Sequence, residues 1–167
     1  VDCVGFMVEG AAGHLEDGAE RLVKTPWYDH EIPFTQAAEL GTRKVITDHS
    51  TIGVVVTTDG SFSDLPQETY LDAENQAISE LKKLHKPFLV LVNSSHPSSR
   101  TAREAAERIE KQHSVAAMPV NCAQLSEEDI RQIMEQILYE FPVSRVEFYM
   151  PKWVEMLPLS HPLKTGL

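Results

Sequence analysis

Three short apolar runs separated by amphipathic stretches constrain the fold of this chain more than any other feature. The runs cover residues 52–57, 87–93 and 115–121. The first two are almost uninterrupted and rich in β-branched or large aliphatic residues, which is typical of strands buried on both faces of a parallel sheet. The third run is weaker, because Pro119 cannot donate a ladder hydrogen bond and indicates an edge position or a strand end.

Helical periodicity fills the intervals between these runs. Apolar residues recur at three-to-four spacing over about 36–49, 66–85, 100–112 and 127–140. The last segment is the clearest, because Ser126 precedes three acidic residues in a pattern like a capping box and Pro142 ends the helix. Alternating strands and helices predict an α/β fold, a three-layer structure around a mostly parallel sheet.

The two ends of the chain do not follow this alternation. Residues 3–35 lack sustained periodicity and form a long loop that is either functional or mobile, with Trp27 either pinning it to the core or anchoring an interface. Residues 143–150 alternate loosely and predict a strand that opens a second unit. We therefore predict two units, 1–142 and 143–167, and we expect a chain that starts at Val1 to be a fragment.

Composition excludes several classes of function. The chain has 25 acidic and 15 basic residues, a net charge of −10 and no basic run, so binding to nucleic acid or to anionic lipid is disfavoured. Its two cysteines, Cys3 and Cys122, suggest neither a disulfide framework nor a zinc site, and they fit a reducing compartment such as the cytoplasm. The longest apolar run, 88–92, is far shorter than the roughly 20 residues of a membrane-spanning helix.

Polar residues at predicted strand ends are the first candidates for a site. In an α/β sheet, ligands gather at the carboxyl ends of the strands, and Asn93 and Ser94 follow the second run directly. The segment from Asp2 to Gly5 is expected at the same edge. Asn93 could contact a ligand, or its side chain could satisfy loop amides, whereas the 57–59 segment is interpreted as turn chemistry.

Asp2 and Gly5 form an Asp-x-x-Gly motif of the kind found in GTPase-type nucleotide triphosphatases. A carboxylate suits the shell of a hydrated Mg²⁺, and a glycine lets a backbone N–H approach a phosphate oxygen. The motif is short, and Asp2 could equally cap a turn. No G-x-x-x-x-G-K-[ST] phosphate loop occurs in the chain, so the loop is expected upstream of Val1 and this segment alone should bind nucleotide poorly or not at all.

The order of elements is that of the latter part of a P-loop GTPase-like fold, with two departures. The fourth GTPase motif, Asn-Lys-x-Asp, is replaced by a segment that ends in His96, and a histidine cannot offer the two acceptors that guanine requires. Adenine therefore becomes plausible. Phe6 stands where many GTPases carry a water-orienting glutamine, which predicts slow turnover tied to assembly.

Longer segments carry a more specific resemblance. They are Val-Asp-Cys-Val-Gly at 1–5, Thr-Pro-Trp-Tyr at 25–28, Ile-Pro-Phe at 32–34, Ala-Ala-Glu-Leu-Gly-Thr-Arg-Lys-Val-Ile at 37–46, His-Ser-Thr-Ile-Gly-Val-Val-Val-Thr-Thr-Asp-Gly at 49–60, Lys-Pro-Phe at 86–88, Asn-Ser at 93–94 and Tyr-Glu-Phe-Pro at 139–142. Together they resemble the stage IV sporulation protein A family over most of the chain.

That resemblance implies a morphogenetic ATPase with a GTPase-like nucleotide domain, which hydrolyses ATP to drive its own polymerisation into the basement layer of the bacterial spore coat. By the family's motifs, Asp2 is the catalytic Walker B carboxylate that acts on Mg²⁺ through water, Gly5 lies at the γ-phosphate, and Asn93 and Ser94 contact the nucleotide. The cofactors implied are ATP and Mg²⁺.

The resemblance also implies partners and a place in the cell. The partners are further copies of the chain, other spore coat proteins and a small membrane-anchoring amphipathic peptide, and the place is the cytoplasmic, mother-cell side of the forespore surface. In the same terms, 1–142 is the latter part of a P-loop ATPase domain and 143–167 starts a middle domain. Two alternatives stay open: a nucleotide-independent scaffold with a degenerate GTPase-like fold, and a guanine-specific GTPase, which His96 disfavours.

Overall fold

A three-stranded parallel sheet forms the centre of the protein. The computed structural model describes residues 1–16, 18–147 and 149–165. In chain order the elements are β1 (Leu15–Glu16), β2 (Ala19–Glu20), β3 (Leu22–Val23), β4 (Ile32–Pro33), α1 (Phe34–Lys44), a π-helical turn (Val45–His49), β5 (Gly53–Thr58), a 3₁₀ turn (Gln67–Tyr70), α2 (Leu71–Lys83), β6 (Phe88–Asn93), α3 (Arg100–His113), β7 (Ala117–Val120), α4 (Glu127–Tyr139), α5 (Lys152–Glu155) and α6 (Pro162–Thr165).

The sheet confirms the predicted parallel α/β arrangement. Its strand order is β5-β6-β7, and both pairs are parallel. In the register, Asn93 pairs with Thr58 on one side and with Val120 on the other. The carboxyl ends of all three strands therefore lie side by side, and the loops that follow them share one edge of the sheet.

Side chains of the central strand alternate between two cores, one on each face of the sheet. Val90 and Val92 lie with residues of α2 and α3 in one core, and Leu89 and Leu91 lie with residues of α4 in the other. All four are at most 5% exposed. Each fully buried aliphatic side chain contributes on the order of 2 kcal/mol to folding, so burial on both faces stabilises β6 strongly. The helix–sheet–helix layering agrees with the three layers predicted.

An ion pair around a buried carboxylate joins helices α2 and α3 to the edge strand β5. Arg108 of α3 donates from Nη1 and Nη2 to the two carboxylate oxygens of Glu74 on α2, at 2.8 and 3.1 Å. The hydroxyl of Thr57 on β5 donates to the same carboxylate at 2.8 Å. The Glu74 side chain is 1% exposed and that of Arg108 is 32% exposed. Three elements thus depend on one carboxylate.

The predicted helix over 36–49 changes its winding part-way. The α-helix ends at Lys44, and residues 45–49 continue it as a π-helical turn. The ammonium group of Lys86 donates to backbone carbonyls of this region, those of Ile46, Thr47 and Ser50. A side chain from the distant segment before β6 therefore satisfies the carbonyl groups at the end of this helix.

The long loop is attached to the fold through Trp27. A Cβ built on Gly41 of α1 would lie 3.5 Å from the Trp27 ring, and Nζ of Lys44 lies 5.7 Å from its centroid. Two short antiparallel pairs, β1 with β2 and β3 with β4, provide the regular structure of this segment among its described residues. Trp27 thus contacts α1, as the loop-pinning role predicts, but it is 43% exposed, and the interface role stays a prediction.

The strand predicted over 143–150 is wrong for the residues that the structure describes there, since 143–147 and 149–150 have no strand conformation. Phe148 lies outside the described residues. Val143 and Tyr149 are 80% and 87% exposed. Alternation forms a strand only where it pairs with another strand and packs on a core, and the described residues 143–147 and 149–150 pair with no strand. The two short helices α5 and α6 follow it.

Candidate functional site

Three loops meet at the carboxyl edge of the sheet: 59–61 after β5, 94–96 after β6 and 121–123 after β7. Their starting points are aligned by the pairing of Thr58, Asn93 and Val120. Side-chain hydrogen bonds join these loops to one another, so the edge is a connected polar surface. We refer to these three loops, together with the last strand residues Thr58, Asn93 and Val120 that precede them, as the base edge.

Asn93 links the loop after β6 to the loop after β7. Its side-chain oxygen Oδ1 accepts a hydrogen bond from the backbone N–H of Cys122 at 3.0 Å. Its backbone carbonyl accepts from the hydroxyl of Thr58 at 3.0 Å. Asn93 therefore satisfies a loop amide, which is one of its two expected roles. It also joins β6 to β5 and to the loop after β7.

Ser94 is the most deeply buried polar residue of the base edge, with no exposed surface. Its hydroxyl donates to Oδ2 of Asp59 at 2.6 Å, and the hydroxyl oxygen accepts from the backbone N–H of His96 at 3.1 Å. Its own N–H donates to the carbonyl of Val120 at 2.8 Å. A buried hydroxyl that is fully paired in this way fixes the backbone around it.

Asp59 is the residue that the sequence interpretation missed. Beyond Ser94, its Oδ1 accepts from the hydroxyl and the N–H of Ser61 at 2.6 and 3.1 Å. Burial acts to raise the pKa of Asp59, but the hydrogen bonds from Ser61 and Ser94 outweigh it, so the pKa lies below its ordinary value. The carboxyl is therefore charged at neutral pH. The available sequence signal was the Thr-Asp-Gly-Ser turn, which indicates a local bond and not one to another strand.

The turn after Asp59 needs a glycine. Gly60 has a φ of +86°, and a Cβ there would lie 3.1 Å from the backbone nitrogen of Gln67. Its N–H donates to the Thr58 hydroxyl at 3.0 Å. This tight turn brings Ser61 next to the neighbouring loop, where its hydroxyl oxygen accepts from the N–H of Ser95 at 2.8 Å.

Asp2 and Gly5 lie in a separate region, beside the outer edge of β5. Together with residues of α1, α2 and β5 they line an open cavity of about 400 Å³. Gly5 has a φ of +84°, and its N–H donates to the hydroxyl of buried Thr42 at 3.0 Å. Asp2 is exposed, and its Oδ1 accepts from the N–H of Cys3 at 2.9 Å.

The structure therefore brings together one pair of predicted site residues and not all four. Asn93 and Ser94 share the base edge, and no hydrogen bond within the described parts of the chain joins either of them to Asp2 or Gly5. The same described residues contain no group of three or more His, Cys, Asp or Glu side chains that could enclose a metal ion. A single exposed carboxylate fits a hydrated Mg²⁺ held through water, as Asp2 was predicted to do.

Comparison with known proteins shows the family. Residues 1–142 match the family model described as stage IV sporulation protein A, ATPase domain. The chain belongs to the stage IV sporulation protein A family. It is similar to the stage IV sporulation protein A of Clostridioides difficile (strain 630), at 46% identity over 167 residues, which is 100% of this chain and 34% of that protein.

Two further relatives carry the same name. The stage IV sporulation protein A of Bacillus subtilis (strain 168) is 40% identical over 164 residues, and that of Bacillus anthracis is 39% identical over 164 residues, in both cases 98% of this chain and 33% of the relative. The chain thus spans about a third of the length of the curated relatives that it matches. No solved structure matches it.

The comparisons agree with the sequence resemblance in family. The relatives are named as sporulation proteins, and the family model that matches residues 1–142 is described as an ATPase domain. Within the described residues, no helix combines the length and the apolar character needed to cross a membrane.

Proposed function

We propose that this chain contributes the latter part of a nucleotide domain that hydrolyses ATP, and that hydrolysis drives self-polymerisation into the basement layer of the bacterial spore coat. The observation that carries the proposal is the match of residues 1–142 to an ATPase domain. The parallel sheet supports it, because nucleotides bind at the carboxyl ends of such strands. In this proposal the sheet is of the P-loop GTPase-like type, and residues 143–167 begin the next domain.

The roles divide between the two regions of the structure. Asp2 would hold Mg²⁺ through water and Gly5 would face the γ-phosphate. Asn93 and Ser94 would form the nucleotide-base side through the loops that they hold in place, since Ser94 has no exposed surface of its own. Bound Mg²⁺ would neutralise charge on the phosphate oxygens during transfer. For Gly5 to donate to a phosphate, its N–H has to exchange the hydroxyl of Thr42 for the ligand, because that bond is formed in this structure.

Adenine is the preferred base in this proposal. The position that would supply a carboxylate to guanine is His96, whose Nδ1 lies 3.0 Å from the hydroxyl oxygen of Ser95 and whose N–H is bound to Ser94. An imidazole paired with a serine cannot present two acceptors to the edge of guanine. A site built to hydrogen-bond a group of its ligand strongly rejects ligands that lack this group. Without the carboxylate that recognises guanine, most of the preference for GTP over ATP is therefore lost.

The remaining parts of the proposal concern assembly. Its partners are further copies of the protein, other spore coat proteins and a small amphipathic membrane-anchoring peptide, on the cytoplasmic, mother-cell side of the forespore. The net charge of −10 argues against nucleic acid as a partner. Phe6, which can neither donate nor accept a hydrogen bond, supports slow hydrolysis completed by another loop, a cation or a neighbouring subunit.

A second candidate is a scaffold that assembles without nucleotide. The observation in its favour is that the Gly5 N–H is already paired with Thr42. In that case the α/β fold serves only as an assembly surface.

One comparison separates the two candidates. In the full-length protein, Asp2→Ala should lower Mg²⁺-dependent ATP hydrolysis by about 10- to 100-fold, the range for a residue that holds a metal through water. Asp64→Ala, at an exposed aspartate in the loop before α2, is the matched control. Unchanged turnover in the Asp2 variant contradicts the magnesium role of Asp2, and the lack of any Mg²⁺-dependent turnover in the unaltered protein contradicts the ATPase assignment. Assembly at equal rates with and without ATP, followed by light scattering, favours the scaffold.

A further inference from the structure

We propose that Asp59 is a positioning residue that holds the loop 94–96 in the conformation that binds the nucleotide base, and so sets base affinity and choice. The inference rests on the proposed function, because it assigns a role to the base edge of that site. Asp59 does not contact the nucleotide in this proposal. It acts through Ser94 and Ser61.

The first step is that the two oxygens of Asp59 have different tasks. Oδ1 accepts from Ser61 within the turn, which is the local bond expected of an aspartate before a glycine. Oδ2 accepts from Ser94, which is 35 residues away and follows a different strand. A turn residue needs only the first bond. The second bond therefore serves the neighbouring loop.

The second step is that the Asp59 carboxylate determines how Ser94 is used. A serine hydroxyl has one hydrogen, and here that hydrogen is given to Asp59 at 2.6 Å. The oxygen lone pairs are then left for the N–H of His96, at 3.1 Å. Because Ser94 is fully buried, water does not replace either bond, and a bond to a charged acceptor is stronger than one between neutral groups.

The third step is that the same carboxylate reaches residues 94–96 by a second route. Ser61 donates its hydroxyl hydrogen to Asp59 and accepts the N–H of Ser95 at 2.8 Å. The backbone N–H groups of two consecutive residues, Ser95 and His96, are thus held by two hydroxyls that a single carboxylate orients. Rotation of the loop would break both routes at once.

The last step connects this loop to the next one. The N–H of Ser94 donates to Val120, and Asn93 accepts from Cys122, so the loop after β7 is fixed to the loop after β6. Displacement of 94–96 should therefore loosen 121–123 as well. Cys122 gives a readout of this loosening that does not depend on nucleotide: the residue is exposed, and the partial burial of its thiol, which raises the pKa and so slows alkylation at neutral pH, depends on the position of this loop.

The test uses the full-length protein, four single variants and one double variant. Asp59→Asn keeps the shape of the side chain but replaces one acceptor oxygen with a donor, so one of the two routes fails. Ser94→Ala removes the route through Ser94, and Ser61→Ala removes the route through Ser61. Asp64→Asn, in the same connection between β5 and α2, is the matched control. Thermal unfolding of each variant verifies that it folds.

The first readout is titration calorimetry of ATP and of GTP in the presence of Mg²⁺. We expect Asp59→Asn to weaken ATP binding roughly tenfold, the size typical of a lost hydrogen bond to a charged group, and to narrow the difference between ATP and GTP. Asp59→Asn combined with Ser94→Ala should weaken binding by less than the product of the single effects, because both act on one bond. A purely structural role predicts equal losses for both nucleotides, and that result would overturn the assignment of base choice.

The second readout is the alkylation rate of Cys122, followed by peptide mass spectrometry without nucleotide. It should rise in Asp59→Asn and Ser94→Ala and stay constant in Asp64→Asn. Unchanged alkylation together with unchanged ATP affinity overturns the proposal. If the unaltered protein binds neither nucleotide, the proposed function fails, and so does the part of this inference that concerns the base. The alkylation rates then decide by themselves whether Asp59 holds the loop.

Discussion

Removing Arg108 should destabilise the fold strongly, because it leaves the buried carboxylate of Glu74 without its cation. In the structure Glu74 is 1% exposed and has three hydrogen bonds, two from Arg108 and one from Thr57. Breaking a buried pair by removing one partner costs about 3–5 kcal/mol. Because the Arg108 side chain is 32% exposed, water can reach the vacated side, and we expect Arg108→Ala to cost about 3 kcal/mol, the lower end of that range.

The control for this variant lies on the same helix. Arg100 forms an ion pair with Glu104 at 2.7 Å, with side chains that are 86% and 57% exposed. Exposed pairs of this kind contribute little to stability. Urea unfolding followed by circular dichroism should show a large loss of stability for Arg108→Ala and a small change for Arg100→Ala. Equal losses in the two variants would refute the reasoning that burial, and not the ion pair itself, makes Arg108 important.

Two further predictions follow from the structure. Because hydrogen bonds hold the pKa of Asp59 below its ordinary value, this carboxyl stabilises the fold above its unfolded pKa of about 3.9, and the stabilisation is lost as the pH falls through the lower folded value. Asp59→Asn should therefore lose this part of the pH dependence of acid unfolding. An unfolding curve identical to that of the unaltered protein would contradict the prediction. The outer edge of β5 pairs with no strand among the described residues, and Val54 and Val56 of β5 are 45% and 59% exposed. The 167-residue chain should therefore dimerise or aggregate through this edge, and Val56→Lys should reduce that association. A monodisperse monomer in light scattering would count against this prediction.

The central elements could be predicted from sequence because their signals are local. An uninterrupted β-branched run indicates a strand buried on both faces, and β5 and β6 begin and end within one residue of the predicted runs. Helix α4 begins at Glu127, where the capping residues place it, and the structure contains the full capping box between Ser126 and Asp129. In each case the pattern and the physical cause lie in the same few residues.

The features that the sequence did not predict depend on distant residues. The π-helical turn over 45–49 lies where Lys86 donates to carbonyl groups some 36 to 40 residues earlier in the chain. The alternation over 143–150 has no neighbouring strand at the residues that the structure describes there, 143–147 and 149–150. Asp59 was correctly expected in a turn, but its bond to Ser94 crosses between two strands, and no local pattern contains that bond.

The two parts of the proposed site differ in how far they are organised without a ligand. At the base edge, Ser94, Asn93 and Asp59 are joined by hydrogen bonds that leave the loops little freedom. Beside β5, the Gly5 N–H is bound to a neutral hydroxyl, and such a bond contributes only about 1 kcal/mol net. A phosphate oxygen carries charge and is the stronger acceptor, so it can replace Thr42 at little cost. In the proposed ATPase, the base edge would therefore bind as a preformed surface, and the change that accompanies nucleotide binding would begin at Gly5.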